Sequence, residues 1–478
     1  MAETDNFRIY SGGSVKQLKK LAQNLEDFDM LLRVITGLQA EPPPDKFSIY
    51  LVRRQADLVR YTTGSKSIAG YYAARPTGSA AFSLRSRKTS GDTSKIWALT
   101  SQQVLFHEYA HHFMLRYFPY AYPAWYVEGF AEYVSTAQFK DKETVLGDFS
   151  IGRAYPLLHE EWLPMETLLS PLRPQLSRDE TYMFYSQSWL LTHYLLRNTD
   201  RMAALTDYLA RYSTAETLAE DFKASFGMTP KQLKRKLVRY LKGRGEKMTL
   251  TTMSFGDKRK AADITLTKLP PSAEDVLIVA KKLEMGIDAQ FHAAALDDVE
   301  EIKDEHADDL LAQRTWALAH ISFGDRPAGK ALLAQLATIY PKDVKTRFYL
   351  AMAHYLEAFA NFDDGIVDYA KLKTAKTHFA KAYQLDKSFY PTLYYYFRSA
   401  VLPYTENDKR ALEEAAYLAP QVDEIRFAQA DLWAERSDAE FLAAAMRIFK
   451  SLASNPHGGE LAHAAAQRYA AMARTEAP

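Results

Sequence analysis

Apolar positions recur along this chain with two different periods, and the change from one to the other outlines its elements. Residues 7–10 (FRIY) alternate as a strand, whereas residues 14–38 place Leu18, Leu21, Leu25, Phe28, Leu32 and Ile35 on one face of an amphipathic helix. Pro42, Pro43 and Pro44 break that helix, and residues 47–52 (FSIYLV) read as a second strand. Residues 70–74 and 79–84 predict a hairpin around Pro76, Thr77 and Gly78, whose later strand is a candidate rim for an added substrate strand, with an ordinary interior strand as the alternative. Helical spacing then takes over. Leu105, Phe106, Tyr109, Phe113 and Leu115 mark a buried helix, with Thr100 or Ser101 to cap its start and Pro119 to stop it. Pro123 starts another, carrying Trp125, Val127, Phe130, Ala131 and Val134, and the intervening turn lets it fold back on the first. Residues 180–196 form a further strong helical pattern.

Strand character returns at residues 249–269, around Gly256 and Asp257, and reads as a small β connector. From about residue 272 the chain is helical. Pro341, Asp386 and Pro420 follow successive helix pairs, and the last two lie 34 residues apart, the period of tetratricopeptide repeats. Ala351, Ala353, Ala375, Ala382, Ala411 and Ala415 fit the small-residue positions, and residues 361–373 read as an insertion. Stacked pairs of this kind build a concave surface suited to a peptide or a protein partner. Phe389, Tyr390, Tyr394, Tyr395, Tyr396 and Phe397 are expected in the core of such repeats rather than on that surface.

Composition narrows the classes. A chain of 478 residues holds two or three domains. With 60 Lys and Arg against 59 Asp and Glu, the net charge of +1 predicts no nucleic-acid partner. No apolar run reaches the length of a membrane span. The first residues carry no signal-peptide pattern, so the expectation is either a cytoplasmic protein or one whose signal has been removed. Zero cysteines exclude disulfides and thiolate ligands, leaving histidines and carboxylates for any metal. The basic run 231–247 is amphipathic through Leu233, Leu237, Val238 and Leu241; it reads as a solvated face, with partner binding as the alternative.

The chemistry concentrates in HEYAH, residues 107–111, and WYVEGFAE, residues 125–132. Four residues apart on a helix, His107 and His111 lie about 40° apart in azimuth and about 6 Å apart along the axis, so both imidazoles can reach one metal ion. Glu108 is within reach of a metal-bound water. A buried helix bearing two histidines and a glutamate is costly unless these groups meet a metal or one another. A catalytic zinc site needs a third ligand and an open position, and Glu128 on the following helix is the best candidate. Glu132, one turn further on, reads either as a carboxylate that accepts the other ring N–H of a histidine ligand or as a solvated charge.

These residues resemble the gluzincin metallopeptidases, whose aminopeptidase branch has HExxH followed by a W-x-N-E-G-F-A segment, and most of all the bacterial peptidase-MA-like proteins, in which such a domain can precede helical repeats. The resemblance covers roughly residues 45–240. It implies His107, His111 and Glu128 as zinc ligands, Glu108 as general base acting on a zinc-bound water, and Tyr185 as oxyanion donor, with Tyr182 and His193 as alternatives. The fold class it implies is α+β: a thermolysin-like domain of small sheet and zinc helices over residues 1–248, the β connector 249–271, then an all-α tetratricopeptide-like solenoid over 272–478. Two departures stand out. Residues 112–127 form a shorter link between His111 and Glu128 than is usual, and the segment Gly78–Phe82 lacks the glutamate that holds a substrate amine in the aminopeptidases. An endopeptidase, or an enzyme with another end-recognition device, acting on a peptide or protein substrate is therefore expected; the rival expectation is a repeat-based scaffold with an inactive or structural metalloprotease fold. A zinc hydrolase of a non-protein amide is a third. Export signals in related proteins tilt the expected location toward the cell envelope, periplasmic or secreted.

Overall fold

The computed structural model describes residues 1–62, 68–85, 100–140, 143–148, 151–170, 175–214, 219–256 and 259–475. Asp257, in the expected connector, lies outside them. The N-terminal elements are β1 (Ala2–Glu3), β2 (Phe7–Ser11), α1 (Val15–Thr36), β3 (Phe47–Val52), α2 (Gln55–Val59), β4 (Gly70–Arg75) and β5 (Gly78–Leu84). They are followed by α3 (Ser101–Tyr117), α4 (Ala124–Val134), β6 (Gln138–Phe139), β7 (Thr144–Leu146), α5 (Ile151–His159), α6 (Met165–Leu168) and α7 (Arg178–Leu196). Next come α8 (Thr199–Thr214), α9 (Ala219–Phe226), α10 (Pro230–Leu241), β8 (Thr251–Met253) and β9 (Thr265–Leu266). The remainder is helical: α11 (Ala273–Met285), α12 (His292–Glu305), α13 (Leu310–Phe323), α14 (Arg326–Ile339), α15 (Val344–Ala358) and α16 (Tyr369–Leu385). It closes with α17 (Tyr390–Arg398), α18 (Glu406–Leu418), α19 (Asp423–Ala434), α20 (Ala439–Ala453) and α21 (Gly459–Thr475). A small sheet accompanies many helices, and no described helix is long and apolar enough to cross a membrane.

Two compact units result, and neither is a continuous stretch of chain. The first comprises residues 1–19, 41–85 and 263–429; the second comprises 20–40, 86–262 and 430–478. This differs from the sequential division at 248 and 271 expected from the sequence. The reason lies in α11. Its Leu277 and Ile278 pack on the sheet residues Tyr50, Val52, Phe82 and Leu84, while Val276, Val279 and Leu283 join a core with Trp316, Phe348 and Phe379. A helix apolar on two sides packs on the sheet with one face and on the following helices with the other, which places both in one unit. The expected connector is likewise divided: β8 pairs with β7 in the second unit, and β9 pairs with β1 in the first.

In the first unit the sheet runs β4-β5-β3-β2-β1-β9. β2, β3 and β5 are parallel, with Ile9 opposite Ile49 and Ile49 opposite Ala81. β5 is therefore an interior strand between β4 and β3, and the rim expected there is filled. Gly78 opens β5 at φ 141°, a backbone conformation that favours glycine. Consecutive helices from α12 to α18 pack each on the next, the neighbour-to-neighbour pattern of a repeat stack. Pro341, Asp386 and Pro420 follow the pairs α13–α14, α15–α16 and α17–α18. The expected alanines are buried, and the rings of the buried Phe348 and Phe379 meet those of the partly buried Phe389 and Tyr395. The repeat pattern does not run to the end of the chain, because α20 and α21 belong to the second unit and α20 packs on α8.

In the second unit, α3 and α4 pack together and α4 lies along α7. Thr100 caps α3, its side chain and that of Gln103 exchanging hydrogen bonds with each other's backbone N–H, and Ser177 with Glu180 does the same for α7. The buried back of α3 is fixed to α1 by the stacked rings of Phe106 and Phe28, 4.1 Å apart, and by Tyr109 Oη donating to Asp29 Oδ1 at 2.7 Å. The basic run starts on α10 and continues past its end at Leu241, with Leu233, Leu237 and Tyr240 buried and Lys231, Arg235, Lys236 and Arg239 on the outer face of the helix.

Candidate metal centre

His107 and His111 are brought to one face of α3, and Glu128 is presented to them by α4. His107 Nε2 and His111 Nε2 are 3.0 Å apart, and each lies 3.5 Å from Glu128 Oε2. Glu128 is fully buried, and the three groups form a cluster of metal-ligand type. Zinc holds nitrogen and oxygen donors at about 2.0–2.2 Å, so a tetrahedral arrangement keeps its donors about 3.3–3.5 Å apart. The two separations of 3.5 Å are of that size and the third, 3.0 Å, is slightly shorter, and two imidazoles with one carboxylate are the donors zinc accepts. This set fits the ion. The other cluster of this type among the described residues, Asp275, Glu305 and His306, is largely exposed, with His306 paired to Asp275.

Glycine at 129 makes the approach of α4 to α7 possible. A Cβ there would stand 2.3 Å from Thr192 Oγ1 and 2.4 Å from the Ser188 carbonyl oxygen. The helix axes can come this close only because position 129 has no side chain, and that proximity brings α7 alongside the residue preceding it, Glu128.

Around the triad the charges are arranged in two groups. On the His107 side, Glu132 Oε1 lies 3.4 Å from His107 Nδ1, and Arg153 Nε donates to Glu132 Oε2 at 2.8 Å while its Nη2 donates to Oε1. Glu132 is 3% exposed, which rules out a solvated charge. The Arg153 guanidinium also lies over the Tyr185 ring, 5.0 Å from its centroid, and that ring meets the His107 ring edge-on at 6.3 Å. Glu108, half-buried beside His107, adds its charge to the same region. On the other side, His457, from the loop joining α20 to α21, places Nε2 2.9 Å from Glu128 Oε1, with its ring 5.1 Å from that of His111.

Burial by itself would raise the Glu128 carboxyl, but the facing His457, His107 and His111 outweigh it and hold the group well below the usual carboxylate range. Burial likewise opposes charge on His107; hydrogen bonding to Glu128 and the charges of Glu132 and Glu108 win and push it up to about 9. His111 goes the other way, lowered by burial. The two alternatives to Tyr185 stand elsewhere on α7. Tyr182 is 43% exposed beside Arg178, and His193 is buried against Tyr133 and Tyr240, the latter's hydroxyl 2.9 Å from its Nδ1.

Sequence reasoning missed Arg153 and His457. Arg153 sits in a segment with no motif, and no local pattern distinguishes it from a surface arginine. His457 lies far along the chain from the HEYAH motif, in a turn of Asn455, Pro456 and Gly458 that reads only as a helix connection.

No protein-family model matches this chain, and no curated protein matches it. Among solved structures, the crystal structure of a thermophilic TPR protein of Thermus thermophilus is similar to 42% of this chain and 98% of its own, at 18% identity and a TM-score of 0.34. A likeness that loose carries no argument about fold or activity.

Proposed function

We propose that the second unit is a zinc metallopeptidase of gluzincin type, an endopeptidase, with His107, His111 and Glu128 as ligands. The observation that supports this reading is the set of three donor atoms separated by 3.0, 3.5 and 3.5 Å on two packed helices, with a glutamate beside the first. Zinc bound there supplies a Lewis acid for a peptide carbonyl and for water. Glu108 accepts a proton from the attacking water and returns it to the leaving amide nitrogen, so the C–N bond breaks with a neutral amine leaving. Tyr185, beside His107, donates its phenolic hydrogen to the oxyanion that develops on the carbonyl oxygen. Glu132 faces the His107 ring, its Oε1 3.4 Å from Nδ1, and Arg153 orients that carboxylate.

The test is zinc content together with cleavage of an unstructured protein such as casein. Wild-type chain is expected to hold one zinc and to lose cleavage on chelation. Glu108→Gln should keep the zinc and lose at least about 1,000-fold in turnover, and Tyr185→Phe should lose about 100-fold with zinc retained. Wild-type protein free of zinc, or a Glu108→Gln variant as active as wild type, would sink the scheme.

A second reading is a repeat-based protein-binding scaffold in which the metal site is structural or inactive. The run of packed helix pairs α13–α18 in the first unit favours it. A chain that binds stoichiometric zinc, cleaves no peptide, and holds a protein partner equally well with or without Glu108→Gln belongs to this reading.

A further inference from the structure

The metal-ligand set comes from α3 and α4, yet one polar atom that meets it comes from the other end of the second unit. His457 stands in the loop between α20 and α21, where Asn455 Oδ1 accepts its backbone N–H at 2.9 Å. Gly458 follows with no room for a side chain: a Cβ there would lie 2.8 Å from the Ala462 Cβ and 3.3 Å from the Asn455 carbonyl oxygen. The helix before the loop is tied down independently. Ser451 Oγ donates to the Pro119 carbonyl oxygen at 2.9 Å, in the turn between α3 and α4, and α20 packs on α8. The imidazole is thus delivered to Glu128 on a braced turn, although its side chain is 45% exposed.

What the ring touches is specific. Glu128 has two oxygens: Oε2 faces both imidazoles of α3, and Oε1 faces His457 Nε2 at 2.9 Å. A carboxylate binds zinc through one oxygen or both, and a donor on one oxygen decides between them. We infer that His457 is a positioning residue of the metal centre, its imidazole standing against Glu128 Oε1 at 2.9 Å so that the carboxylate grips the metal through Oε2 alone. This rests on the metal reading of the preceding subsection and extends it to a residue outside the two motif helices. One consequence is that a coordination position stays open for water and substrate. A second is coupling: seating of the α20–α21 turn tightens metal binding, and metal binding, by the same amount, tightens the seat of the turn.

The experiment uses the full chain stripped of metal and reloaded with cobalt, whose visible absorption reports coordination number, alongside zinc affinity from competition with a chromophoric chelator. Three proteins are compared: wild type, His457→Phe, which keeps a ring without a donor, and His457→Gln, which keeps an N–H donor without the ring. The expected result is a loss of about 10- to 100-fold in zinc affinity for His457→Phe. Its cobalt bands should weaken toward a five-coordinate spectrum, and both properties should largely return in His457→Gln. Equal affinities and spectra in all three proteins would overturn the inference, as would an equal loss in both variants, which would assign the effect to ring shape. A wild-type chain that takes up neither cobalt nor zinc sinks the metal reading itself, an outcome distinct from either of these.

Discussion

Three histidines follow closely on α3, and the helix separates their surroundings by azimuth. His107 and His111, four residues apart, share a face with Glu128; His112, about 100° further round, stacks on Tyr109 at 5.8 Å. Burial, with Arg116 nearby, keeps the His112 imidazole well below its ordinary value, so it is neutral. The motif made the first two legible. Arg153 was not legible, and it carries a prediction at this scale. Its guanidinium makes a paired contact with Glu132, a nearly buried carboxylate. Arg153→Met leaves that charge without its cation, which costs about 3–5 kcal/mol for a buried pair. Urea denaturation of metal-free protein should register that loss, and zinc affinity should fall as the carboxylate facing His107 loses its fixed position. An Arg153→Met chain as stable as wild type, with unchanged zinc affinity, would show that the clamp does not matter.

At the scale of elements, periodicity placed most of the pieces. Residues 47–52 form β3 as expected, the hairpin lies over residues 70–84, and α1, α3, α4 and α7 fall close to the expected spans. Short strands were missed: β1, β6 and β7, of two or three residues each, hold too few alternating positions to stand out. The contact of α4 with α7 depends on Gly129, which sequence alone could not assign to a close approach. Gly129→Ala should force the two helices apart, at about 1–3 kcal/mol in thermal or chemical unfolding. Because Glu128 is its neighbour, zinc affinity should drop with it. A Gly129→Ala protein unfolding at the wild-type midpoint would mean that α4 and α7 need no such proximity.

At the scale of the whole molecule, two units are assembled from interleaved segments, and each has its own buried charges. In the first unit Glu284 is buried, receiving Lys281 Nζ at 3.1 Å together with Lys345 and the Tyr349 hydroxyl. Burial would raise its carboxyl, but the two lysines and the tyrosine prevail and depress it from 4.5 to about 2. The folded state thus gains stability from this group above about pH 4.5, and the gain disappears as pH falls toward 2. The expected loss is on the order of 3 kcal/mol over that window. Denaturant titrations from pH 5 down to pH 2 should show it in wild type and a shallower dependence in Glu284→Gln. Matching pH profiles in the two proteins would remove Glu284 as the cause.

The sequence alone determined the local matter: most strand and helix spans, a cap at Thr100 or Ser101, the pairing of His107 with His111, and the helix-pair rhythm from 310 to 418. Each of these follows from the geometry of a single element or of neighbours along the chain. Only the tertiary structure decided which core each apolar face joins, that β5 is interior, that α20 and α21 leave the repeats, and that Arg153 and His457 meet the residues around Glu128. Those outcomes depend on burying surfaces far apart in sequence, and no periodicity within a segment records the identity of its distant partner.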